Sequence, residues 1–185
     1  LDAVNAYLDG GYKEKLNAFA ENVAALKSRL SENGFTLAGD EPLKITLLTK
    51  PYGYTGEDLA SCLAKTGIYC EFYDRDYLVM MFSSETEDSD FDKIKKAFSL
   101  IERKEALKAD VPETERATKQ AVSIRQAVFS PTETVPVSES AGRICAVPTV
   151  SCPPAIPVAV SGEVITEKAV KAFIHYGIKE IKVLK

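Results

Sequence analysis

The chain has 185 residues, of which 45% are hydrophobic, enough to bury one large core or two small ones. Its net charge of −4 comes from 23 basic and 27 acidic residues in mixed order, with no basic cluster interleaved with aromatics, so nucleic acid is not an expected partner. The longest apolar run, Ala155 to Val160, falls far short of the roughly 20 residues of a spanning helix, and Leu1-Asp2-Ala3 carries neither a basic n-region nor an apolar h-region, so no membrane contact is expected.

From the N-terminus, Val4, Leu8, Leu16, Phe19, Val23, Leu26 and Leu30 recur at helical spacing. Gly10-Gly11 interrupts that stripe, which predicts a short helix, a break, and a long helix from about Lys13 to Glu32 ended by Asn33-Gly34 in a left-handed cap. Leu43 to Leu48 reads as a strand with Ile45 and Leu47 on one face. Pro51 to Gly56 is a Gly/Tyr loop before a helix with Thr55 as N-cap, Leu59 and Leu63 buried, and Gly67 as its stop. Ile68 to Tyr73 and Tyr77 to Phe82 are β-rich runs joined by Asp74-Arg75-Asp76, a hairpin connection, and Ser83 to Ser89 is a loop. Phe91, Ile94, Phe98 and Ile101 then mark an amphipathic helix over Asp90 to Lys104. The order α, β, α, β, β, α implies a helix-covered sheet of the open-faced sandwich kind.

Glu105 to Lys119 lacks an apolar stripe and contains Pro112, so it is expected to connect two packed units. Beyond it, Ala121 to Phe129 reads as a short helix or turn-rich segment and Pro131 to Pro136 as a loop. Arg143 to Val147 and Val158 to Val160 read as short strands on either side of Cys152 to Pro157, which three prolines push into an extended, polyproline-like loop. Ser161-Gly162 is a turn, Thr166 an N-cap for a helix over Lys168 to Tyr176, Gly177 its C-cap, and Glu180 to Leu184 a final strand. The fold class expected is α+β, an α/β sandwich followed by a second, mixed unit.

The text from Gly142 onward resembles the C-terminal domain of the bacterial ornithine/lysine/arginine decarboxylases, pyridoxal-phosphate enzymes of the aspartate-aminotransferase-like fold. That family writes Gly-Arg-Ile, then Pro-Tyr-Pro-Pro-Gly-Ile-Pro, then Pro-Gly-Glu; this chain has Gly142-Arg143-Ile144, Pro153-Pro154-Ala155-Ile156-Pro157 and Gly162-Glu163. It departs by Ser151 and Cys152 in place of Pro-Tyr, Ala155 in place of Gly, and Ser161 in place of Pro. The resemblance extends forward to Glu41-Pro42-Leu43-Lys44, Gly53 to Gly56, and Gly67-Ile68-Tyr69-Cys70-Glu71, with Glu41 where the family usually has Asp. It implies an aminotransferase-like small subdomain over residues 1–104, a connector over 105–119 and the decarboxylase C-terminal domain over 120–185. The abrupt start then reads as a chain cut from something longer.

By the same resemblance Glu71 faces the active site and takes the distal cation of a basic amino acid, for which an acceptor-only anion is apt. Strand alternation offers the opposite reading, with Glu71 in solvent and Cys70 and Phe72 inward. Lys44 and Arg143 read as solvated strand residues, although Arg143 has the chemistry to pair with an acid elsewhere. Glu163 sits at a turn ahead of a helix, where a carboxylate is favoured anyway. His175, followed by Tyr176, has no Ser, Cys or Asp partner nearby in sequence.

The family's cofactor lysine belongs to a Ser-x-His-Lys motif, and neither that motif nor a Gly-rich phosphate loop is present here. The resemblance therefore implies pyridoxal phosphate in a longer enzyme, held by an N-terminal domain outside this chain, with none bound by this piece and no activity from it alone. It implies a basic amino acid as substrate, a homo-oligomer and a cytoplasmic location. Cys62, Cys70, Cys145 and Cys152 form no CxxC pair and stand beside a single histidine, so neither a metal site nor a disulfide framework is expected. A reading from a different class is a stand-alone ferredoxin-like ligand-binding or oligomerisation module, with Tyr52-Gly53-Tyr54-Thr55-Gly56 as its glycine loop.

Overall fold

Apolar spacing of three and four residues places Phe19, Val23, Leu26 and Leu30 on one buried stripe of helix α1, Gly11–Glu32. In the computed structural model the described residues are 4, 5, 7, 11–113, 118–148 and 157–185. Val4 and Tyr7 are helical but exposed, so the buried stripe does not extend back to Val4 as its spacing suggests. Gly11 lies within α1, while Gly10 and Leu8 fall outside the described residues. Gly34 closes the helix at φ +88°, and Phe35 N–H donates to Leu30 O at 3.0 Å, the bond pattern of a Schellman cap.

The chain divides into two compact units, Leu1–Ala109 and Asp110–Lys185. In the first, strands β1 (Thr36–Ala38), β2 (Lys44–Leu48), β3 (Phe72–Tyr73) and β4 (Tyr77–Met81) form an antiparallel sheet in the order β1-β2-β4-β3. Helix α2 (Gly56–Ala64) and helix α3 (Asp88–Ser99) join α1 against the face that carries Ile45, Leu47, Leu78 and Met80. Thr55 caps α2 by accepting from Asp58 N–H at 3.1 Å, and Glu87 and Asp90 form a reciprocal capping box on α3. Aromatic rings fill the centre: Phe35 stacks on Tyr52 with centroids 3.8 Å apart and meets Phe98 edge-on at 5.1 Å.

One strand is added here and one expectation is corrected. β1 is a strand that the three-residue run Thr36–Ala38 is too short to announce, and it exists through its register with β2. The predicted strand Ile68 to Tyr73 is regular only at Phe72–Tyr73. Ile68 N–H instead donates to Leu63 O at 3.2 Å, part of the stop at Gly67.

The second unit contains α4 (Ile124–Phe129), β5 (Thr132–Pro136), α5 (Glu167–His175) and β6 (Glu180–Leu184), with β5 and β6 antiparallel. Its core comprises Val135, Val137, Cys145, Ile165, Val170, Phe173, Ile181 and Val183 among others. The expected loop over Pro131 to Pro136 is therefore a strand. Only Val135 is buried in it, so its own pattern is weak and its conformation is imposed by pairing with β6. Conversely, Arg143 to Val147 is not a regular strand, because it changes partner along its length: Cys145 N–H donates to Glu163 O, whereas Ala146 N–H donates to Lys182 O. Val158 to Val160 is bent, and the Glu163 carboxylate accepts the Val160 N–H at 3.0 Å, a donor that a strand would use in its ladder. Of the loop expected over Cys152 to Pro157, residues 152–156 lie outside the described residues, as do residues 149–151 before it, Ser151 among them. Thr166 caps α5 as expected, accepting from Ala169 N–H at 3.2 Å, and the α+β class is the one observed.

Phe98→Ala removes a fully buried ring and is expected to cost about 3–5 kcal/mol of unfolding free energy in urea titration. Gly56→Ala, whose new Cβ would stand 2.0 Å from Tyr77 O and 2.3 Å from Asp74 O, is expected to cost about 1–3 kcal/mol in the same assay.

Candidate functional site

The β3–β4 hairpin and the loop between β2 and α2 hold the chemically distinctive groups of the first unit. The hairpin turns on Asp74, whose Oδ1 accepts from Asp76 N–H and Tyr77 N–H, each at 2.7 Å. Ahead of it, exposure alternates: Tyr69, Glu71, Tyr73 and Arg75 are exposed while Cys70, Phe72 and Asp74 are half-buried. Glu71 thus occupies a bend just before β3, not the interior of an apolar strand. Its N–H donates to Val79 O at 3.0 Å and Cys70 packs against the core, while its carboxylate makes no ion pair with a described residue. Such a carboxylate, flanked by Tyr69 at 84% exposure and Tyr73 at 49%, can accept from an ammonium or guanidinium group.

The loop opposite is built inward. Thr49 is fully buried, and both its N–H and its hydroxyl donate to Asp76 O at 3.3 Å. Lys50 Nζ stands 2.5 Å from Asp76 Oδ1, with side-chain exposures of 7% and 2%. Tyr54 hydroxyl donates to Glu102 O at 2.8 Å, and Leu107 N–H donates to Lys50 O at 2.9 Å, so residues 102–107 are strapped onto this loop. Gly53 and Gly56 admit these neighbours: a Cβ on Gly53 would lie 2.5 Å from Lys104 Cβ. Neither Lys50 nor Asp76 is marked by the sequence, where Asp76 reads as one of three turn residues. Lys50 beside Pro51 in an aromatic loop is the faint signal available.

The remaining candidates have local partners. Lys44 Nζ is 3.0 Å from Glu41 Oε1 on the surface. Arg143 Nη2 donates to Glu133 Oε1 at 2.5 Å and to Leu184 O at 2.8 Å, so it pairs within the second unit, and its hydrogen bond holds the Glu133 carboxyl below the usual carboxylate range. Glu163 serves its own turn. His175 ends α5 with its ring edge-on to Tyr176 at 5.0 Å. An open groove of about 510 Å³ includes Arg29, Lys95 and Lys96, cations near the C-terminal ends of α1 and α3, where carbonyl ends favour positive charge without a ligand.

The lysines do not fit a cofactor aldehyde. Among the described residues only Lys50 is buried, and its Nζ is turned onto the Asp76 carboxylate rather than toward an open site. The glycine at the α2 N-terminus faces the carbonyls of Asp74 and Tyr77, which leaves no cradle for a phosphate there.

Residues 102–181 match the Orn/Lys/Arg decarboxylase C-terminal domain. The arginine decarboxylase of Bacillus subtilis (strain 168) is 28% identical over 140 residues, covering 69% of this chain and 27% of that protein. Among solved structures, the constitutive lysine decarboxylase of E. coli superposes with a TM-score of 0.65 at 14% identity over 94% of this chain and 41% of that one. The lysine decarboxylase of Francisella novicida gives a TM-score of 0.66 at 15% identity over 95% and 40%. The chain therefore spans less than half the length of these relatives. The likeness to the Orn/Lys/Arg decarboxylases, read first from motifs, is supported by the family model and by the curated relative, and the solved structures show the same fold.

Burial pushes the thiols of Cys70 and Cys145 up to about 11. The folded state keeps both protons until well above the ordinary value of 9.0, so the associated stability is full below that pH and is lost as pH rises through 11. Iodoacetamide at pH 8 is expected to label both cysteines much more slowly in the native chain than in urea, and equal rates would contradict this.

Proposed function

We propose that this chain, similar over residues 102–181 to the Orn/Lys/Arg decarboxylase C-terminal domain, is the C-terminal portion of a pyridoxal-phosphate-dependent decarboxylase of a basic amino acid. Residues 1–104 act as its aminotransferase-like small subdomain, 105–119 as connector and 120–185 as C-terminal domain. The cofactor, its lysine and its phosphate cradle belong to a preceding N-terminal domain, and the assembly is a cytoplasmic homo-oligomer. The cofactor supplies the electron sink for loss of the carboxylate as CO2. This chain's part is binding: Glu71 forms one wall of the substrate site and accepts the distal ammonium or guanidinium, which orients the amino acid and selects for length and charge.

The observation that carries this reading is the exposed, uncommitted carboxylate of Glu71 on an otherwise tightly bonded hairpin. The alternative of a stand-alone module with a ligand-binding glycine loop is less well supported, because Gly53 and Gly56 are already in contact with Lys104, Asp74 and Tyr77 of the same unit.

In the longer polypeptide that includes the preceding domain, Glu71→Gln is expected to lower kcat/KM for lysine, ornithine or arginine by about tenfold or more, the scale of a lost hydrogen bond to a charged group. Unchanged kinetics would remove Glu71 from the site. Incubating this chain with pyridoxal phosphate, reducing with borohydride and weighing the product is expected to show no stoichiometric adduct. A single modified lysine at full occupancy would overturn the assignment of the cofactor to another domain.

A further inference from the structure

The Lys50–Asp76 pair is not explained by stability. Removing two charges from water costs several kcal/mol per ion in effect, and apolar replacements of similar volume often fold as well or better. A buried pair at 7% and 2% exposure is better suited to specifying one arrangement among several.

The arrangement at stake is the hairpin. β3 contributes two residues, paired as Phe72↔Val79 and Tyr73↔Leu78, at the edge of the sheet. So short a pairing specifies register weakly, and a slip of one residue would send every β3 side chain, and Glu71 before it, to the opposite face. The flanking pattern is a poor safeguard, because Tyr69 and Tyr73 on one alternation and Cys70 and Phe72 on the other are all able to pack. What holds the tip is Asp76. Its carboxylate meets Lys50, its carbonyl takes two donors from Thr49, and its N–H is tied to Asp74. Lys50 in turn is fixed through its carbonyl, which accepts from Gly53 N–H and Leu107 N–H.

We propose that Lys50 and Asp76 are positioning residues: their buried ion pair locks the register of the β3–β4 hairpin and thereby aims the Glu71 carboxylate. The aim toward a basic amino acid rests on the function proposed above; the register lock does not.

The test is the charge-free double variant Lys50→Met/Asp76→Leu, with Asp76→Glu as a second variant that keeps the charges but displaces the carboxylate. Hydrogen exchange on this chain reads the lock directly. Exchange at the Glu71 amide, bonded to Val79 O, is expected to rise about tenfold or more while amides of α1 stay protected. In the longer polypeptide, KM for lysine or arginine is expected to rise about tenfold with kcat nearly constant, the split of a misplaced binding group. If the double variant does not fold, Asp76→Glu is held to the same two readouts. Native-like exchange at Glu71 in a folded variant would overturn the lock. Altered exchange with unchanged KM would overturn the link to substrate. Failure of Glu71→Gln alone to change kinetics would remove the proposed function while leaving the exchange result to decide the lock.

Discussion

The first unit depends on one close approach of backbone to backbone. At Gly56 the start of α2 lies so near the hairpin tip that a Cβ would meet two carbonyl oxygens, and this contact brings Thr49 and Lys50 against Asp76. From that junction the rest is determined. α2 packs against β4, and the Tyr52 and Tyr54 hydroxyls donate to Ile101 O and Glu102 O. A side chain at position 56 would collide with the Tyr77 and Asp74 carbonyls. Backbone carbonyls cannot be displaced as a flexible side chain can, so the contact is strict.

The second unit achieves a comparable convergence with different means. Gly162, at φ +91°, admits Val122 O at 2.3 Å from where a Cβ would be, and the segment around Cys145 exchanges bonds both with residues 162–165 and with β6. Arg143 ties β5 to the end of β6 through Glu133 and Leu184 O. Little regular structure is needed, because backbone groups are satisfied by irregular partners as completely as by a ladder.

The Glu71 carboxylate is exposed while the backbone around it is bonded, its own N–H donating to Val79 O. Glu41, Glu133 and Glu163 each have a partner supplied by their own unit. The hairpin that follows Glu71 is fixed by the Asp74 carboxylate, which accepts from Asp76 N–H and Tyr77 N–H.

Helices, their caps and the main turns were legible in the sequence because they are local: the stripe from Phe19 to Leu30, Thr55 and Thr166 as caps, and the glycines at 34, 67 and 177 depend on neighbours within one or two helical turns. The strands with strong period-two patterns, β2, β4 and β6, were legible for the same reason. β1 and β5 were not, since three residues and a TETVP run acquire strand conformation only from a partner distant in sequence. Nor was the Lys50–Asp76 pair, which joins residues 26 positions apart and whose burial no local pattern records. Composition and periodicity thus determined which segments fold and which face of each is apolar. Tertiary structure alone decided which edges pair and which charges are buried, because those depend on contacts closed over long loops.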